Sequence, residues 1–265
     1  MMKKYLVIGN PISHSLSPKL QNHWLKQNNI DAVYDKMKLE ENEIKTIINQ
    51  IRNKKIAGCN VTVPFKKIVL PFLDILSPEA EQTQSVNTII CEKGSLIGHN
   101  TDIVGFVKAI KSLNFDMKGK KVLILGAGGV VSSIIFALKK MEVSEITISN
   151  RTKQKAEDLK ILFKNLKIIC WGNLPDFDVV INATSLGLNN EKLNLNFSKV
   201  GKNKLFYDVI YNPAETNFLK EGKKLGNKIE NGKLMFVYQA LEAFKIWHKI
   251  EPKINNEILE LLNND

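Results

Sequence analysis

The sequence predicts an α/β protein in two parts, an N-terminal three-layer α/β domain followed by a doubly wound parallel sheet of the Rossmann kind. Three observations predict it. Strand-like and helix-like segments alternate along almost the whole chain, the pattern of sheets covered by helices. The apolar run Lys120–Leu125 ends abruptly in Gly126-Ala127-Gly128-Gly129 and resumes as Val130–Met141 with helical spacing. At 265 residues the chain is long enough to bury the cores that such a fold needs.

The elements follow in order. Tyr5–Ile8 reads as a strand. Ser17-Pro18 then opens a helix, with Ser as cap and Pro at the first helical position. Leu20 and Trp24 share one of its faces. Ala32–Met37 is a strand, and Glu43–Ile51 an amphipathic helix with Ile44, Ile47, Ile48 and Ile51 at i, i+3, i+4 and i+7. Ile56–Val63 is a strand, after which Pro64 begins a helical turn. Val86–Cys91 and Ser95–Asn100 flank Glu92-Lys93-Gly94 as a hairpin.

From about Asp102, where a domain boundary is expected, a linker helix leads to the glycine turn. Beyond it come strand Glu145–Ser149, helix Lys153–Phe163 and strands Lys167–Cys170, Asp178–Asn182 and Leu205–Val209. Lys233–Trp247 and Asn255–Leu262 are closing helices. The expected domains are 1–102 with 236–265, and 103–235.

A strand, a glycine turn and a helix together make a site for a pyrophosphate. The glycines let the ligand approach the backbone, and the helix N-terminus offers free N–H groups and a favourable dipole. An NAD-binding unit usually carries an acid about twenty residues further on, for the ribose hydroxyl. Here the second strand delivers Asn150-Arg151-Thr152 and no acid. The chain has only two arginines, Arg52 and Arg151, so a guanidinium among abundant lysines points to the 2′-phosphate of NADP.

Composition excludes several classes. No apolar run reaches the length of a membrane span, and the first strand begins too early for a signal peptide, so no membrane association is expected. Cys59, Cys91 and Cys170 are odd in number and lack metal spacing, which favours a reducing cytoplasm and argues against zinc. A net charge of +11 invites a nucleic-acid reading, but the lysines are scattered and not interleaved with aromatics. The charge reads as a solvated surface that also attracts anionic ligands.

Three polar clusters sit at strand ends before the glycine turn. Gly9–Pro18 places Ser13, Ser15 and Ser17 just ahead of a helix, where hydroxyls can hold a carboxylate without arginine; helix capping alone would also explain Ser17. Gly58–Lys67 ends a strand at Thr62 and presents Lys66, a candidate for giving or taking a proton or a plain surface charge. Ser85–Thr88 and Gly98–Asp102 bring Asn87 and Asp102. Asp102 is placed to pair with Lys66, to bind a substrate hydroxyl, or to cap the linker helix.

Together these segments resemble the shikimate dehydrogenase family over nearly the whole chain. The resemblance is carried by Ser15 and Ser17, Asn60–Lys66, Val86-Asn87-Thr88, Asn100-Thr101-Asp102, Gly126–Gly129 and Asn150-Arg151-Thr152. It continues through Asn182-Ala183-Thr184-Ser185, Asp208–Pro213 and Met235–Ala240.

The resemblance implies NADPH-dependent reduction of 3-dehydroshikimate to shikimate, by a monomer or homodimer, in aromatic amino-acid biosynthesis. Lys66 and Asp102 would be catalytic, and Ser15 and Ser17 would hold the substrate carboxylate. Thr62, Lys66, Asn87, Asp102 and Gln239 would surround the ring oxygens, with Tyr211 nearby. Gly126, Ala127, Gly128 and Gly129 would cradle the pyrophosphate, Asn150, Arg151, Thr152 and Lys155 would take the adenosine phosphate, and Thr184 joins the cofactor set. Gln21, Ile103, Val131 and Asn217 depart from the family's usual residues. The rival readings are an NAD-linked quinate/shikimate dehydrogenase and a non-catalytic metabolite-binding relative; Ser17 and Arg151 argue against the first, Lys66 and Asp102 against the second.

Overall fold

A computed structural model describes residues 2–263. The chain divides into two compact units, one formed by the residues up to Gly105 and from Val237 onward, the other by Phe106–Phe236. The first runs β1 (Lys3–Gly9), α1 (Ser17–Gln27), β2 (Ala32–Lys38), α2 (Ile44–Arg52), β3 (Gly58–Val61), β4 (Ile75–Leu76), α3 (Pro78–Thr83), β5 (Thr88–Glu92) and β6 (Ser95–His99). Then α4 (Asp102–Ser112) leads to β7 (Lys121–Leu125), α5 (Val131–Lys140), β8 (Glu145–Ser149), α6 (Lys153–Leu162) and β9 (Leu166–Ile169). The second unit continues with β10 (Val179–Asn182), β11 (Leu205–Asp208), α7 (Asn217–Lys224) and β12 (Lys228–Glu230), before α8 (Lys233–His248) and α9 (Asn256–Leu261).

In the first unit the sheet order is β2-β1-β3-β5-β6-β4. β1 pairs parallel with β2 and β3, whereas β5 is antiparallel to both of its neighbours. Alternation along the strands feeds two cores. Leu6 and Ile8 of β1 join Cys59, Val61 and Ile89 against Ile44, Ile47, Ile48 and Ile51 of α2. Each buried isoleucine contributes about 1.5–3 kcal/mol over its exposed state. Glu40 and Glu43 cap the turn that feeds α2, each side chain accepting from the other's backbone N–H.

Tyr5 points to the other core, its ring 5.0 Å from that of Trp247 on α8. Trp24 of α1 meets Phe244 edge-on at 5.8 Å. The Trp247 indole donates to Ile89 O at 3.2 Å. A Cβ at Gly58 would lie 2.4 Å from Trp247 Nε1, so only glycine lets α8 reach the sheet there. Helices thus cover both faces, giving three layers.

The second unit's sheet has the order β12-β11-β10-β7-β8-β9, parallel throughout. That is the doubly wound arrangement, and the chain order reverses between β7 and β10. β10 and β11 are buried along their whole length, as strands covered on both faces must be. Phe206 anchors one side, with Phe177, Phe197 and Phe218 around it at ring separations of 5.2–6.2 Å.

Some expectations need correction. Ser17 is not a side-chain cap: Leu16 holds the cap position of α1 and makes no side-chain cap bond, while the Ser17 N–H donates to Ser15 Oγ. Asp102 stands at the start of α4, and both its carboxylate oxygens engage other side chains. The strand expected over Ile56–Val63 is shorter, Gly58–Val61. α3, β4, α7 and β12 are additions to the elements that the sequence pattern predicts. No helix among the described residues is long and apolar enough to cross a membrane.

Candidate functional site

The Lys66 ammonium donates to Asp102 Oδ2 at 2.5 Å, with side-chain exposures of 10% and 8%. Lys66 sits in the turn after β3, where Val86 N donates to its carbonyl at 2.9 Å and fixes the backbone. Asp102 opens α4, its own N–H donating to Asn100 Oδ1 at 3.2 Å. Asn87 joins the two segments. Its amide nitrogen donates to Asp102 Oδ1 and to Thr101 Oγ1, each at 2.9 Å, and its Oδ1 accepts from Thr101 N at 2.8 Å. Both oxygens of the carboxylate are therefore held. Asp102 takes one of the three ammonium donors, which suits Lys66 to meet a developing negative oxygen.

The same network reaches β2. Asn60 of β3 donates to Asn87 O at 3.0 Å and to Thr88 Oγ1 at 2.9 Å. Its Oδ1 accepts from the Tyr34 hydroxyl at 2.6 Å. Burial pushes the Tyr34 phenol well above its ordinary value. Ser15 Oγ accepts from Ser17 N at 3.3 Å, so its own hydroxyl proton remains available to an acceptor. Tyr34, Asn60, Asn87, Asp102 and Lys66 thus form one continuous chain of hydrogen bonds.

Sequence reasoning missed Tyr34. It is the one fully buried position of β2, and a buried tyrosine hydroxyl needs a partner. Thr62 lies half-buried beyond β3, its N–H donating to Ile8 O at 2.9 Å. Gln239 is half-buried on α8. The departure at Gln21 has a clear consequence: its amide donates to Ala240 O at 3.0 Å, tying α1 to α8. Ile103 is buried at the start of α4.

In the second unit, Gly126 has φ +108°, and a Cβ there would lie 2.8 Å from Ala183 O. Glycine is thus required twice over, by conformation and by the close approach of the β10 loop. Gly126 N donates to Ser149 O at 2.8 Å, which ties the turn to the end of β8. Gly128 is exposed and Ala127 and Gly129 are half-buried, ahead of α5, whose first residue, Val131, is fully buried.

Arg151, Thr152 and Lys155 are all exposed, and Asn150 Nδ2 donates to Thr152 O at 2.7 Å to shape their loop. No acidic side chain stands among residues 150–155. Thr184 donates to Asn182 Oδ1 at 2.8 Å and accepts from Leu186 N at 3.1 Å.

The buried Asp208 accepts from Asn182, from Ile210 N at 3.0 Å and from Thr216 at 2.6 Å. Burial pushes its carboxyl up to about 6 against these bonds. Through Asn182 it links the loop that carries Thr184 to the one that carries Tyr211, whose ring stacks on Phe236 at 4.7 Å.

Comparison with known proteins fits both halves. A family model described as the shikimate dehydrogenase substrate binding domain matches residues 7–89. A second, described as shikimate / quinate 5-dehydrogenase, matches residues 108–209. The shikimate dehydrogenase (NADP(+)) of Pelagibacter ubique is 56% identical over 99% of this chain and 100% of its own. The crystal structure of shikimate dehydrogenase from Aquifex aeolicus superposes with a TM-score of 0.90 at 36% identity, over 100% of this chain and 98% of that one. A shikimate 5-dehydrogenase from Thermus thermophilus, solved with NADP(H) and shikimate, gives 0.90 at 30% identity over 99% of both chains. With likeness of this extent in sequence, in both halves and in fold, the chain belongs to the shikimate dehydrogenase family.

Proposed function

We propose that this chain catalyses the reversible, NADPH-dependent reduction of 3-dehydroshikimate to shikimate in aromatic amino-acid biosynthesis. The observation that carries the chemistry is the buried Lys66–Asp102 pair with Asn87 behind it. As the substrate carbonyl oxygen gains negative charge, the Lys66 ammonium stabilises it and gives it the Nζ proton. Asp102 orients the ammonium, and Asn87 orients Asp102. Ser15 and Ser17 hold the substrate carboxylate through hydroxyl donors. Thr62, Gln239 and Tyr211 complete the substrate set. Residues 1–102 with 236–265 form the substrate domain and 103–235 the nucleotide domain.

The residues present fit NADP. The turn at Gly126 leaves the backbone bare at the switch between β7 and β10, where such cofactors lie. Gly126, Ala127, Gly128 and Gly129 would hold the pyrophosphate, with Thr184 beside them. Asn150, Arg151, Thr152 and Lys155 would hold the adenosine phosphate, since a guanidinium without a neighbouring acid suits a dianion. When bound, the nicotinamide supplies the hydride.

Three free thiols, Cys59, Cys91 and Cys170, support a reducing, cytoplasmic setting. The acting species is a monomer or a homodimer, which sedimentation distinguishes. The test of function is reduction of NADP⁺ and NAD⁺, followed by absorbance, with shikimate and with quinate. Turnover of NADP⁺ with shikimate well above the other three combinations is expected; preference for NAD⁺ or quinate overturns the reading.

A further inference from the structure

We propose that Asp208 is a positioning residue for the cofactor: through the Asn182 amide it holds Thr184 in place beside the Gly126 turn. The inference rests on the reading that this turn and Thr184 take NADPH.

The partners of Asn182 leave its amide one orientation. The Thr184 N–H can only donate, and it bonds Asn182 Oδ1 at 3.1 Å, with the Thr184 hydroxyl on the same oxygen at 2.8 Å. The amide nitrogen meets only acceptors, Leu186 O at 3.1 Å and both Asp208 oxygens at 3.2 Å. Asn182 therefore shapes the loop after β10, and Asp208 holds the end of the amide that faces away from Thr184.

Asp208 is itself fixed. Ile210 N donates to its Oδ1 at 3.0 Å and the Thr216 hydroxyl to its Oδ2 at 2.6 Å. Every partner is a donor, so the place calls for a group that only accepts, and a charged acceptor holds donors more strongly than a neutral one. The loop closes on fixed points at both ends. Ala183 O lies 2.8 Å from where a Gly126 Cβ would stand. Gly187, at φ +122°, would put a Cβ 3.2 Å from Thr216 Cγ2. Asn182 and Asp208 are both fully buried, so they act through Thr184 without reaching a ligand.

Asn in place of Asp208 keeps its oxygen toward Ile210 N and puts an NH₂ where Oδ2 stood. That NH₂ faces the Asn182 amide nitrogen and the Thr216 hydroxyl, both donors in the parent. Turning the Asn182 amide relieves the conflict but takes its oxygen away from the Thr184 N–H.

The test is the NADPH affinity of the otherwise unliganded protein, followed by NADPH fluorescence, for the parent, Asp208→Asn, Thr184→Val and the double variant. Positioning requires Asp208→Asn to weaken NADPH about five- to tenfold at a temperature where thermal unfolding shows it folded. It also requires that loss to shrink in the Thr184→Val background, since both changes act on one route. Parental NADPH affinity in Asp208→Asn, or an equal loss in both backgrounds, overturns the positioning and leaves the Thr184 contact standing. Thr184→Val with unchanged NADPH affinity overturns that contact, and the positioning with it.

Should Asp208→Asn not fold, amide hydrogen exchange of the parent decides. NADP⁺ should slow exchange together at Thr184 and Ile210, whose N–H groups bond Asn182 and Asp208. Slowing at Thr184 with Ile210 unchanged overturns the positioning.

Discussion

Asn87 Nδ2 lies 2.9 Å from Asp102 Oδ1, on the opposite oxygen from the one that meets Lys66 at 2.5 Å. The carboxylate is therefore clamped from both sides, and the ammonium has one direction in which to point.

Lys66→Ala should lower turnover by at least about a hundredfold, the scale of general acid catalysis, while shikimate still binds. It also leaves Asp102 buried without its cation, so a loss of roughly 3–5 kcal/mol in stability is expected. Steady-state kinetics at a temperature where the variant is folded, beside its thermal unfolding, check both. Turnover near that of the parent removes Lys66 from the mechanism.

Replacing both Ser15 and Ser17 by Ala removes donors made alike to ground and transition states. The shikimate KM should rise more than kcat falls. Parent enzyme that binds methyl shikimate as well as shikimate would place the carboxylate contact elsewhere.

Arg151→Ala should weaken NADPH binding by about 2–3 kcal/mol and leave NADH nearly unchanged. Arg151→Asp should go further, repelling the phosphate and offering the ribose hydroxyl an acceptor. The specificity constants for both cofactors in the three proteins decide it. Equal use of NAD and NADP by the parent refutes the reading of Asn150-Arg151-Thr152.

His248 packs among Tyr5, Phe244 and Trp247, and burial, helped by the charge of Lys3, lowers its pKa from 6.5 to about 4. The unfolded state then binds the proton first. The stability gained from keeping this ring neutral is full above pH 6.5 and is lost as pH falls toward 4. With allowance for solvent screening at this half-buried ring, the loss is about 1–2 kcal/mol. Asp208 acts oppositely, its raised pKa favouring the fold as pH drops below about 6. Denaturant titrations of the parent and His248→Phe at about pH 7 and about pH 4.5 isolate the histidine. The variant should lose less stability on acidification; identical losses refute the assignment.

Much of the fold was legible because its signals are local. Ile44, Ile47, Ile48 and Ile51 spell a helix by spacing, and all four are buried. The apolar run before Gly126 spells a strand and a turn, and β7 ends there. α7 was illegible for a physical reason. Gly222, a poor helix former, breaks its pattern, yet a Cβ there would lie 2.6 Å from the Phe206 ring. Its cap, Thr216 accepting from Leu219 N, was a readable signal. In the site, Lys66 and Asp102 stood out as charges within polar motifs. Tyr34 did not, because in sequence it is one more aromatic on a strand. Only the fold shows that its hydroxyl meets Asn60, 26 positions away.

The seat of Trp247 against Gly58 governs the order in which the chain can be completed during synthesis. The unit Phe106–Phe236 is one continuous stretch and emerges whole from the ribosome. The first unit is begun earlier yet waits for the segment from Val237 onward, which brings Phe244 to Trp24 and Trp247 to Ile89. Until then the half of its sheet that carries Tyr5 lacks its aromatic lid and presents apolar surface to other nascent chains. Cleavage or premature termination before α8 therefore leaves the sheet of the second unit intact and strips the unit holding Lys66 and Asp102 of its cover.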